Sequence, residues 1–198
     1  GHVLFSSGHE WGFWLNDYLT AKILWEPEAP LERFYAHYTS AFGSCSANIS
    51  DDFTKLVALQ RTFLFEKKLI AYVSGEDNAV DLGQLVAGIT IRELRKKFDE
   101  LVTGSEADRA AFESTVLTDL ETYVREVRPL EDAIAARARG SDATLAPWST
   151  ELRDGVRIVR VRIEHSILVY KAILAYARQN TAEAEKLLAQ ARAKTELA

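Results

Sequence analysis

Between Phe112 and Ile134 one series of apolar residues, Phe112, Val116, Leu120, Tyr123, Val127, Leu130 and Ile134, recurs in steps of four and three. The pattern resumes at Leu152 and runs through Val156, Val159, Ile163, Ile167, Tyr170 and Leu174 to Ala177. Such spacing gathers the named residues onto one stripe of an α-helix, whereas a strand would scatter them over both faces. Two long amphipathic helices hide their stripes only against each other or against further helices. Much of the C-terminal half is therefore committed to a helical bundle.

Ser105-Glu106-Ala107-Asp108 opens the first of these helices, which should run to about Arg139 and end at Gly140. Pro129 lies inside its pattern, so a kink is expected near Arg125. Pro147 suits the first turn of the second helix, where its missing N–H does no harm. Asn180-Thr181 then breaks and recaps the chain, and Thr181 to Leu197 predicts a last, alanine-rich helix.

Upstream, Trp14 to Trp25 predicts a helix with one broad buried face on Trp14, Tyr18, Ala21 and Trp25, stopped by Pro27 and Pro30. Leu31, Phe34, Tyr35, Tyr38 and Phe42 repeat at helical spacing, with Gly43 as a C-terminal cap. Ser44 to Ser50 reads as a loop, and Ser50-Asp51-Asp52 supplies capping side chains for a third helix reaching about Ser74. Thr90 is placed to cap a short helix over Ile91 to Val102, ended by Gly104.

Residues 75–92 are ambiguous, since Gly83 and Gly88 interrupt an apolar run and each glycine costs a helix about 1 kcal/mol against alanine. Residues 1–12 read as a short strand end and loop. The expected fold is all-α: a bundle of six or seven helices with a long antiparallel C-terminal pair. It is read as a single domain over residues 1–198, with a sub-structural joint near Gly104.

Composition narrows the function classes. The 198 residues carry a net charge of −5, which argues against coating nucleic acid. Arg153, Arg157, Arg160 and Arg162 are interleaved with acids and read as a solvated helix face bearing i to i+4 pairs. No apolar run approaches membrane-spanning length. One cysteine, Cys45, excludes an internal disulfide framework and a CxxC metal site. His9, His37 and His165 form no ligand motif, and no nucleotide-binding glycine motif is present, so no cofactor is expected. The chain opens Gly1-His2 and has no methionine, and Val3-Leu4-Phe5 has no strand to pair with. A fragment of a longer protein is the expectation.

The segment Ser6 to Tyr18 mixes His9, Glu10, Asn16 and Asp17 with Trp11, Phe13, Trp14 and Tyr18. A sugar site needs this mixture, because aromatic faces cover the C–H side of a pyranose while carboxylates and amides bond its hydroxyls. The candidate substrate-binding residues are His9, Glu10, Trp11, Trp14, Asn16 and Asp17. The structural alternative makes Trp11 and Trp14 core anchors and Glu10 and Asp17 helix caps. Carboxylates that hydrolyse a glycoside stand about 5–10 Å apart, and nothing in the spacing of Glu10 and Asp17 demands that separation.

The run Trp14-Leu15-Asn16-Asp17-Tyr18-Leu19-Thr20-Ala21-Lys22-Ile23-Leu24-Trp25-Glu26-Pro27, followed by Leu31, Tyr35, Tyr38 and Phe42-Gly43, carries a resemblance. It is similar to the helical segment after the last barrel strand in (β/α)8-barrel glycoside hydrolases of the α-glucuronidase-like and hexosaminidase-like kinds. The closing stretch Tyr176 to Glu185 resembles the last helices of their C-terminal domains.

The resemblance implies that Val3 to Ser7 correspond to the last barrel strand and His9-Glu10-Trp11 to a loop at the barrel's C-terminal face. It also implies a secreted or periplasmic parent. The other strands, and the catalytic carboxylates they carry in those enzymes, are missing from this chain. The expected function is thus a non-catalytic C-terminal domain that braces a catalytic barrel of the same parent and lends a wall to its sugar site. Rival readings are a helical interaction or scaffolding module without a ligand, and a small enzyme using His9, Glu10 and Asp17.

Overall fold

The computed structural model describes residues 14–72, 92–140 and 146–195. The described residues form seven helices and no strand, an all-α bundle. In chain order these are α1 (Trp14–Trp25), α2 (Leu31–Thr39), α3 (Ser46–Leu59), α4 (Arg92–Thr103), α5, α6 (Ala146–Ala177) and α7 (Thr181–Thr195). Helix α5 is one uninterrupted run in three stretches: Glu106–Phe112, a wide π turn at Glu113–Leu117, and Thr118–Gly140. The expected N-terminal strand, His9, Glu10, Trp11 and all of the ambiguous stretch 75–92 except Arg92 lie outside the described residues.

The helices gather into two compact units. One combines Gly1–Ala58 with Val127–Ile158, the other Leu59–Glu126 with Val159–Ala198, and Gly104 falls inside the second. In the first unit Leu19, Phe34, Tyr35, Phe42, Ile49 and Phe53 form the core, with Tyr18, Ala29, Tyr38, Val57 and Leu152 packed against it. In the second, Leu120, Tyr123 and Ile163 are fully buried. Around Tyr170 stand Phe98, stacked at 5.4 Å between ring centres, and Phe112 and Tyr72 at 5.2 and 5.7 Å.

Within the second unit α6 and α7 are antiparallel, because Lys194 Nζ meets Glu164 Oε2 at 2.6 Å across the corner that joins them. Three residues make that corner. Gln179 takes a left-handed φ of 60°, and the Asn180 N–H closes back on the Ala175 carbonyl at 2.9 Å. Asn180 then caps α7 by accepting from the Glu183 N–H at 3.3 Å, the break and recap expected from its sequence.

Several elements depart from expectation. Among the described side chains of α1 Leu19 is buried, whereas Ala21 and Trp25 are exposed. Helix α2 stops at Thr39, which is fully buried and whose hydroxyl donates to the Tyr35 carbonyl at 2.8 Å. Gly43 follows in a short 3-10 stretch with φ 58° and ψ −127°, so it turns the chain without capping α2 directly.

The loop expected over Ser44 to Ser50 is largely helix. Ile49 and Phe53, one turn apart and both buried, start the apolar stripe of α3 earlier. Asp52 consequently sits inside α3, buried and paired with Arg137 of α5, and does not cap it. Beyond Leu59 the chain widens into π turns over Gln60–Glu66, and a left-handed Lys68 (φ 56°) ends the run before a 3-10 turn at Leu69–Tyr72. In α5 the helical run continues past Pro129, and a departure from α geometry without a sequence signal falls at Glu113–Leu117.

Candidate functional site

Of the six residues singled out for sugar contact, Trp14, Asn16 and Asp17 occupy the first turn of α1. The described side chains of that region begin at Tyr18. Its hydroxyl shares a hydrogen bond with His37 Nδ1 of α2, and its ring lies 5.2 Å from that of Tyr38, which packs edge-on against Phe53 at 5.9 Å. Lys22 Nζ stands 5.8 Å from the Tyr18 ring centre, at the outer edge of cation–π range. Burial pushes the Tyr18 phenol up, and the negative charge of Glu26 adds to the rise. Tyr18 is thus a neutral hydrogen-bonding clasp between α1 and α2.

The other end of α1 is an elbow. Pro27 cannot donate to the preceding turn, and Pro30 (φ −66°, ψ 142°) sets the extended entry to α2. The Ala29 N–H closes on the Glu26 carbonyl at 3.1 Å, and Arg33 reaches back to Glu26 at 2.9 Å. On this fixed turn Trp25 is 86% exposed, with Leu24, Ile23 and Leu31 exposed beside it. Successive helical positions point about 100° apart, so three consecutive apolar residues cannot share one buried stripe.

The charged groups of the second unit hold its framework together. Arg178, just past α6, meets Glu106 at 2.5 Å and Glu113 at 2.7 Å on α5, and Arg109 also reaches Glu106 at 3.0 Å. Hydrogen bonds from Arg178 hold both carboxyls below their ordinary range. Arg160 pairs with Glu164 at 2.7 Å with both side chains largely buried, so this arginine does not belong to a solvated face, unlike the exposed Arg157 and Arg162.

Tyr123 is fully buried, and burial pushes its hydroxyl up to about 12. Gln60 works against that rise, yet no group completes an ordinary hydrogen bond to the hydroxyl. Among the described residues no group of three or more His, Cys, Asp or Glu is placed to hold a metal ion. No helix among them is long and apolar enough to cross a membrane.

Trp25 is the exposed residue that helical periodicity places on a buried face, and the apolar run Ile23-Leu24-Trp25 at a helix end is the signal that marks it. Comparison with known protein families, with curated proteins and with solved structures finds no match.

Proposed function

We propose that this chain is a non-catalytic helical module that docks on a partner protein through the elbow between α1 and α2. The observation carrying the reading is the exposure of Trp25 on a proline-fixed turn, where an aromatic anchor can be buried by a partner with little loss of freedom. Following the resemblance of residues 14–43, the partner is the (β/α)8 barrel of a carbohydrate-processing protein. In that assembly His9, Glu10, Trp11, Trp14, Asn16 and Asp17 would contribute an aromatic and polar wall to its sugar site. The second reading keeps the docking elbow but gives it a partner unrelated to carbohydrate; it rests on the same exposed side chains.

The test reads the gene upstream of Val3, expresses any barrel encoded there as a separate protein, and titrates it with this chain by calorimetry. Micromolar or tighter binding, weakened at least tenfold by Trp25→Ala, supports the docking reading. A barrel that ignores the chain, or an upstream frame without one, removes the carbohydrate partner. Oligosaccharide titration of the complex then separates bracing alone from a shared sugar site, since only the latter responds to Trp14→Ala.

A further inference from the structure

We draw no further inference here: the strongest candidate, the apolar elbow of Ile23, Leu24, Trp25 and Leu31 between α1 and α2, belongs to the docking surface already proposed, and nothing in the structure shows what else covers it.

Discussion

Gly104 and Gly43 are required for different physical reasons, which substitution separates. A β-carbon on Gly104 would stand 2.4 Å from the Glu100 carbonyl oxygen, a backbone atom that cannot swing aside. The same carbonyl accepts the Gly104 N–H at 2.8 Å, so relieving the clash disturbs the end of α4. Gly104→Ala should destabilise by about 1–3 kcal/mol, the usual cost of forcing extra volume into a tight site. A β-carbon on Gly43 meets nothing within 4 Å, but its φ of 58° with ψ −127° is closed to other residues, so Gly43→Ala should also cost about 1–3 kcal/mol through strain. Urea unfolding of both variants checks the pair. A D-alanine at each position by chemical synthesis, which accepts positive φ, should rescue position 43.

Tyr123 makes the opposite case. Its ring packs edge-on to Phe63 at 5.9 Å, while its hydroxyl is buried without a hydrogen bond. Burying an uncompensated hydroxyl costs roughly 1–3 kcal/mol. Tyr123→Phe keeps the ring and drops the cost, so thermal unfolding should occur at the same or a higher temperature. A lower unfolding temperature would show that the hydroxyl has a favourable partner.

At the scale of elements, the joint between α4 and α5 shows how local chemistry and a distant partner divide the work. The Ser105 N–H donates to Asp108 Oδ2 at 3.0 Å and the Asp108 N–H to Ser105 Oγ at 3.2 Å, a reciprocal cap that starts α5. Arg109 closes the other side by donating to the carbonyls of Leu101 and Gly104 at 3.0 and 2.8 Å. Arg178 then ties the end of α6 to the same turns of α5 through Glu106 and Glu113.

This tie sets a pH dependence. Glu106, Asp108 and Glu113 are all held below their ordinary values, so each contributes stability that is present above the unfolded value. That contribution is lost as pH falls through the lowered folded values, below the ordinary carboxyl range near 4.5 for Glu and 3.8 for Asp. Urea midpoints measured from pH 6 to pH 3 should fall, and fall less steeply in Arg178→Met, which removes the partner of two of the three. Equal slopes in the two proteins would mean the ion pairs are not formed in solution.

The same elements show what was readable in advance. Helices α5, α6 and α7 were legible because their apolar stripes run for many turns and their ends carry capping residues such as Ser105 and Asn180. Local errors came where the deciding contact is distant in sequence or has no residue signature. Asp52 resembles a cap until Arg137, 85 positions away, is brought to it. The left-handed Lys68 and the π turns at Gln60–Glu66 carry no glycine or proline to announce them. The candidate site was legible only as composition, because periodicity says which residues share a face and not which face a partner would cover.

Across the whole molecule, apolar side chains are sorted between those that hold each unit and those left at its surface, and α1 carries both kinds within a few residues. Leu19 is 9% exposed in the first unit's core, and Trp25 is 86% exposed on the elbow. Removing a buried leucine costs about 2–5 kcal/mol, while a surface substitution usually changes stability by no more than about 0.5 kcal/mol. Leu19→Ala should therefore lower the unfolding free energy strongly, and Trp25→Ala should leave it nearly unchanged. The proposed docking to a barrel would invert that order: Trp25→Ala would lose at least tenfold in affinity, about 1.4 kcal/mol, with its fold intact. If Trp25→Ala instead unfolds as easily as Leu19→Ala, Trp25 is a packing residue and the elbow is not a docking face. If it is neutral in both measurements, the anchor lies elsewhere. Stability and affinity measured side by side on the two variants decide between a core helix and a binding helix.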